Sequence, residues 1–163
     1  MPPTTRVCFV CLGNICRSPT AEAVMRHRLQ FHDLGVHVEV ESAGTGDWHV
    51  GHPPDERARE EATRRGITME SVAQQFTEGD FDRFDLILAM DSANLEALRR
   101  IAPSAEAAAK VQMLREFDPL ANGDLDVPDP YFGGSQGFVE VFDMVDRSVV
   151  GLLDHIGSTR ANG

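Results

Sequence analysis

An α/β fold, with one layer of parallel strands covered by helices on both faces, is what this chain of 163 residues predicts. Three observations predict it. Short apolar runs rich in branched side chains alternate with segments whose apolar positions recur at helical spacing, the order expected of a parallel sheet. The chain closes on its clearest helix, where Phe138, Val141, Phe142, Val145, Val149, Leu152, Leu153 and Ile156 share one face. No repeat, linker or low-complexity tract divides the sequence. One domain over 1–163 is therefore expected, its core at about 5–157 and its loose ends at 1–5 and 157–163.

In chain order, residues 6–11 form an apolar run suited to a buried strand. A short loop follows, and Ser18 with Pro19 reads as the N-cap and first residue of a helix reaching about Phe31. A second strand is expected over 36–42, then a helix over 55–65 stopped by Gly66. Strand 84–90 precedes a helix over 92–101 that must end before Pro103, and a fourth strand falls at 110–114. The Gly/Pro/Asp-rich stretch 118–134 reads as a long surface loop. Because the aromatics of the closing helix fall on its apolar face, they belong to the core rather than to a binding site.

The loop after the first strand carries the chemistry. Cys11 supplies a nucleophile, and Arg17 supplies a planar cation that can grip two phosphate oxygens. The N–H groups of Leu12, Gly13, Asn14, Ile15, Cys16, Arg17 and Ser18, with the positive end of the helix, are expected to point into one anion-binding concavity. The same field favours a thiolate, and the Ser18 hydroxyl is placed to donate to the sulfur. Gly13 and Asn14 are expected to take positive φ in so tight a turn. A bare Cys-x5-Arg arises readily by chance. Here the preceding strand, the Ser-Pro helix start and the Gly-Asn pair meet separate requirements of a phosphate loop. Cys8, inside the strand, is expected to be packed core.

The segment Val10-Cys11-Leu12-Gly13-Asn14-Ile15-Cys16-Arg17-Ser18-Pro19 resembles the signature of the low-molecular-weight protein tyrosine phosphatases, bacterial members included. The resemblance continues through Ser42-Ala43-Gly44-Thr45, residues 48–55, Ala89-Met90-Asp91 and Val127-Pro128-Asp129-Pro130-Tyr131, and covers nearly the whole chain. It implies a single-domain phosphatase I-like sheet of order 2-1-3-4, which puts the Cys11 loop at the topological switch point. It also implies hydrolysis of phosphotyrosine through a phosphocysteine intermediate, with no cofactor. Asp118, Asp124, Asp126 and Asp129 are indistinguishable turn formers by composition; the resemblance selects Asp129 as the general acid beside catalytic Cys11 and Arg17. Ser42 is implied to brace Asn14, and Leu12, Ile15, Trp48, Tyr131 and Phe132 to shape the substrate cleft. Phe132 stands where many members have a second tyrosine. Many members also carry a histidine and an arginine after the second helix. Here that stretch reads Glu70-Ser71-Val72-Ala73-Gln74-Gln75, so a polar network from it to Glu22 lacks both cations.

Three other readings share the scaffold. An arsenate reductase needs further downstream cysteines, and none follows Cys16. A phosphoarginine phosphatase resembles the chain closely but typically has threonine where Ile15 stands. A silent phosphotyrosine-binding module would not require Cys11, Arg17 and Asp129 together. Because a phosphate loop curls back on itself, Cys11 and Cys16 are candidates for a reversible disulfide, with Cys16 as resolving thiol; a small buried loop residue is the alternative reading of Cys16.

Charge and composition bound the partners. A net charge of −11 disfavours long-range attraction of phosphorylated substrates, so recognition must be local, and it argues against nucleic acid, which calls for a basic face. Three cysteines make no secreted disulfide framework, the N-terminus lacks the pattern of a signal peptide, and no stretch is apolar enough for a membrane. A cytoplasmic monomer acting on tyrosine-phosphorylated proteins or peptides is expected. His49 and His52 flank a turn and His27 and His32 share the first helix, but none has a carboxylate or cysteine partner, so no metal site is expected.

Overall fold

The computed structural model of the chain describes residues 3–34 and 37–162. Four parallel strands, β1 (Thr4–Cys11), β2 (His37–Gly44), β3 (Leu86–Ala89) and β4 (Val111–Met113), lie in the expected order β2-β1-β3-β4. Val7 pairs with Val40 on one side and Leu86 on the other, so β1 is flanked by strands as well as covered on both faces. That double cover is why its sequence is apolar without alternation.

Strand alternation sorts these side chains between two layers. Val7, Phe9 and Cys11 pack with Val24 and Met25 of α1 (Arg17–Leu29) and Phe142, Val145, Val149 and Leu152 of α5 (Ser135–Asn162). Cys8 and Val10 pack on the other side with Phe76, Phe81, Phe84 and Leu98, the last from α3 (Ser92–Ile101). Burying side chains such as Phe9, Phe142 and Leu152 contributes roughly 1.5–3 kcal/mol each. Cys8 is core as expected. Cys11, last in the strand, is carried by the same alternation to the α1 side, where the loop closes over it. Phe138, first of the apolar face of α5, packs behind that loop with Ile15, Cys16 and Ala58.

Several boundaries differ from the sequence reading. α1 begins at Arg17, with Cys16 rather than Ser18 in the N-cap position, and ends at Leu29. Ser18 therefore sits inside the first turn, its hydroxyl engaged by the loop, and Pro19 is tolerated because first-turn N–H groups have no partner within a helix. His32 lies beyond the helix, its Nδ1 2.7 Å from the Arg28 carbonyl. Positive φ belongs to Asn14 (56°) but not to Gly13. Gly13 answers a close approach instead, since a Cβ there would stand 3.0 Å from the His49 ring.

α2 (Glu56–Arg64) starts on Asp55, whose carboxylate accepts from the Arg57 N–H at 2.8 Å, and Gly66 supplies the stop with φ of 73°. α4 (Ala105–Ala109), capped by the Ser104 hydroxyl, is too short to show a period in sequence. The expected loose ends are partly ordered: Thr4 and Thr5 pair with His37 and Val38 in the sheet, and α5 runs through Gly157 to Asn162. Met1, Pro2 and Gly163 of those ends, and Val36 at the start of the second expected strand, lie outside the described residues.

Candidate active site

Between β1 and α1 the chain turns so that four loop carbonyls are satisfied by groups outside the loop. Those of Cys11 and Leu12 accept from the N–H groups of Thr45 and Gly46, each at 2.9 Å. Ile15 accepts from Asp55 N–H at 2.7 Å, and Cys16 from the Thr20 hydroxyl at 2.7 Å. With these acceptors held outside, the N–H groups are what the loop can offer an anion, joined by those of the first turn of α1. Gly44, where β2 ends, makes the approach possible: a Cβ there would fall 2.8 Å from the Leu12 carbonyl.

A buried polar network holds the loop from behind. Asn14, in its left-handed conformation, donates from Nδ2 to Ser18 Oγ at 2.8 Å and Ser42 Oγ at 2.9 Å. Its Oδ1 accepts from the Gln74 N–H at 3.0 Å. Ser42 in turn donates to Glu22 Oε1 at 2.6 Å. Burial pushes the Glu22 carboxyl above its usual range, against the pull of Ser42 and of Arg26, which lies 3.0 Å away. The missing histidine and arginine therefore do not disconnect the segment 70–75. Gln74 ties it to the loop through its backbone, and its side chain reaches the Ser42 carbonyl at 2.9 Å.

Cys11 Sγ lies 3.0 Å from Ser18 Oγ and accepts from the Asn14 N–H at 3.3 Å. The Ser18 hydroxyl already accepts from Asn14, so its one proton is left to choose between the sulfur and the Ala43 carbonyl at 3.3 Å. With the sulfur as a thiolate, the proton goes to the charge. Arg17 is buried, and NH1 donates to Asp91 at 2.6 Å and to the Val127 carbonyl at 3.0 Å. Burial works against its charge, but Cys11 and Asp91 more than offset it and raise its pKa. NH2 of the same guanidinium stands 3.7 Å from Asp129 Oδ2.

These groups open on a cavity of about 240 Å³. Cys11, Gly13, Ile15, Cys16 and Arg17 form its base, Leu12, Trp48, His49, Tyr131 and Phe132 its walls, and Asp129 reaches its edge. The expected cleft residues thus come together. Asn14, Ser18 and Ser42 stand behind the base rather than in it. Cys16 is buried against Ile15, Ala58 and Phe138, and burial, then Asp55 and Cys11, pushes its thiol well up. Among the described residues, no group of three histidine, cysteine, aspartate or glutamate side chains converges to hold a metal.

The sequence pattern of the low molecular weight phosphotyrosine protein phosphatases matches residues 6–162. The chain belongs to this family. A relative from Streptomyces coelicolor, named low molecular weight protein-tyrosine-phosphatase, is 52% identical over 92% of this chain and 92% of its own. Among solved structures, a protein tyrosine phosphatase of Entamoeba histolytica with Hepes in its active site superposes with a TM-score of 0.90 at 36% identity, covering 96% of this chain and 99% of that one. A Drosophila arginine phosphatase superposes with a TM-score of 0.81 at 32% identity, covering 95% and 97%.

Within this family frame, two contributors, Asp91 and His49, escaped the sequence reading as site residues, and a third, Glu22, entered it only as the far end of a polar network. Asp91 was visible only as part of a motif, yet it both caps α3 through the Asn94 N–H at 2.8 Å and fixes Arg17. Its position just past a strand end, where α/β sites form, was the available signal. His49, read as a solvated loop residue, forms part of the cavity wall, its ring 6.2 Å from that of Tyr131. Glu22 is a charge on a buried stretch of helix, and that mismatch was its signal. Asp118, grouped with the turn formers, is instead buried between Arg115 at 3.2 Å and Arg147 at 3.0 Å.

Proposed function

We propose that the chain is a protein tyrosine phosphatase that hydrolyses phosphotyrosine in proteins or peptides through a phosphocysteine on Cys11. The observation that carries this reading is the convergence of Cys11, Arg17 and Asp129 on one cavity walled by Trp48 and Tyr131. A phenyl ring held between these aromatic walls brings its phosphate to the loop, where the amides of residues 12–18 and Arg17 bind the transferring phosphoryl. The Cys11 thiolate attacks phosphorus, the P–O bond to the phenol breaks, and Asp129 gives its proton to the departing oxygen. Water then attacks the phosphocysteine. Asp129 takes the proton from that water, and phosphate and the thiolate are released, with Ser18 donating to the sulfur as it leaves.

Ile15 supports phosphotyrosine over phosphoarginine, since an apolar branched side chain at the cavity base suits a phenyl ring and offers no hydroxyl to orient attack on a P–N bond. Comparing kcat/KM for phosphotyrosine and phosphoarginine tests this, with a clear preference for phosphotyrosine expected. A preference for phosphoarginine overturns the substrate class and leaves the cysteine chemistry intact.

A reducing compartment such as the cytoplasm suits an enzyme whose three cysteines are all free thiols. The same proposal takes Cys16 as the thiol that captures oxidised Cys11. The buried, raised Cys16 thiol makes that capture slower than at an exposed thiol. It acts as a monomer and takes no cofactor.

A further inference from the structure

We propose that Arg57 is a positioning residue for the loop bearing Asp129, locking it at a set distance from the loop bearing Cys11. This rests on the reading of Asp129 as the general acid. The lock begins at the phosphate loop itself, where the Ile15 carbonyl accepts from the Asp55 N–H at 2.7 Å and so fixes the start of α2. Asp55 then holds the Arg57 guanidinium with both carboxylate oxygens, each at 3.1 Å. Burial pushes the Asp55 carboxyl upward, but its bonds to Arg57 outweigh that and leave it below its usual range. Two further N–H groups of Arg57 donate to the carbonyls of Tyr131 at 2.8 Å and Gly133 at 3.0 Å. Its face lies over the Phe138 ring at 4.7 Å and the Tyr131 ring at 5.7 Å.

The two sides of Asp129 are anchored differently. Before it, the Val127 N–H donates to the Met90 carbonyl at 2.7 Å, Arg17 donates to the Val127 carbonyl, and Arg115 donates to the Asp126 carbonyl at 3.0 Å. After it, among the described residues, the hydrogen bonds that reach 130–133 from another element are the two from Arg57. Tyr131 passes that restraint directly to the acid, because its N–H donates to Asp129 Oδ1 at 3.0 Å while its carbonyl accepts from Arg57. Releasing Arg57 therefore frees the residue that aims the carboxyl, and with Pro128 and Pro130 on either side there is little local slack to absorb the change.

The test is the leaving-group dependence of kcat/KM across phenyl, nitrophenyl and dinitrophenyl phosphates. Arg57→Ala is expected to lower kcat/KM on phenyl phosphate by about tenfold and to leave dinitrophenyl phosphate, which departs without a proton, within about twofold. Arg57→Lys, which keeps the pair with Asp55 but cannot span two carbonyls, is expected to lose about threefold on phenyl phosphate alone. Inhibition by inorganic phosphate is unchanged in both. In an Asp129→Ala background, Arg57→Ala adds no further loss, because the group it positions is gone.

Equal losses on all three esters, or an undiminished loss in the Asp129→Ala background, overturn the proposal. Should Arg57→Ala fail to fold, Arg57→Lys decides by the same criterion. A flat profile for Asp129→Ala itself overturns the acid assignment, whereas a steep Asp129→Ala profile beside a flat Arg57→Ala one removes only the role of Arg57.

Discussion

Behind Cys11, the side chains that shape the phosphate loop are shut away from water, with Asn14, Ser18 and Ser42 no more than 2% exposed; in front of it, Tyr131 and Phe132 are 38% and 93% exposed. The rear is a buried chain of hydrogen bonds that links Ser18 to Asn14, Asn14 to Ser42 and Ser42 to Glu22. The front is a loop of turn residues carrying Asp129. The difference follows from what each side does. An anion cradle works best when its dipoles are fixed before substrate arrives, because no reorganisation is then needed during reaction. The acid side must admit a phenyl ring and let a phenol go, so it cannot be sealed in the same way.

The sharpest break between the two sides is removal of the nucleophile itself. Cys11→Ser is expected to abolish turnover while vanadate still binds, since the cradle does not depend on the sulfur; hydrolysis above a trace by the purified variant would take Cys11 out of its role. On the open side, Asp129→Ala is expected to lower kcat on phosphotyrosine by roughly 10²–10⁴-fold. The loss should shrink as the phenol becomes more acidic, and steady-state rates over a series of aryl phosphates measure this.

Smaller effects sharpen the comparison. Ser42→Ala takes the hydroxyl donor from Glu22 Oε1, leaving Arg26 on Oε2, and removes one acceptor from Asn14, so stability should fall by about 1–3 kcal/mol in denaturant titration. Loosening the loop should also lower kcat by about tenfold. Phe132→Ala, at an exposed position, should leave stability unchanged and raise KM alone. If Phe132→Ala destabilises as much as Ser42→Ala, the division into a rigid rear and an open front is wrong.

The smallest effect concerns Cys16. With reductant present, Cys16→Ser should match wild type. After mild peroxide followed by thiol, it should recover less activity, because no neighbouring thiol captures the oxidised Cys11 before further oxidation. Equal recovery, with no Cys11–Cys16 crosslink by mass spectrometry, would leave Cys16 as a packed residue.

Much of this site was legible because its parts are contiguous. Residues 10–19 place nucleophile, turn, cation and helix start within one local segment, so short-range chemistry and the resemblance it carries suffice. The parallel sheet and the long closing helix were legible for a similar reason, since alternating elements and a sustained helical period are local patterns, whereas the strand order came with the family resemblance. Element ends were not. The move of the α1 start to Arg17 depends on Ser18 turning its hydroxyl to Cys11 and Asn14 instead of capping, a choice made by the fold around it.

The sequence by itself determined the α/β frame, the phosphate loop and the residue types of the chemistry, because a strand, a turn and a helix start are specified by neighbours a few residues apart. Apart from Asp129, which the family resemblance singled out, only tertiary structure decided which carboxylates do what. Asp91, Asp118, Asp126 and Asp129 look alike in sequence, yet one fixes Arg17, one is buried between Arg115 and Arg147, one accepts from the Ser92 N–H at 3.0 Å, and one reaches the cavity. The same holds for Arg57, whose pairing with Asp55 is local but whose hold on Tyr131 and Gly133 spans more than 70 residues of chain. The task of a charged side chain is set by the partners that folding brings within about 3 Å of it, and those partners come from parts of the chain that sequence spacing does not connect.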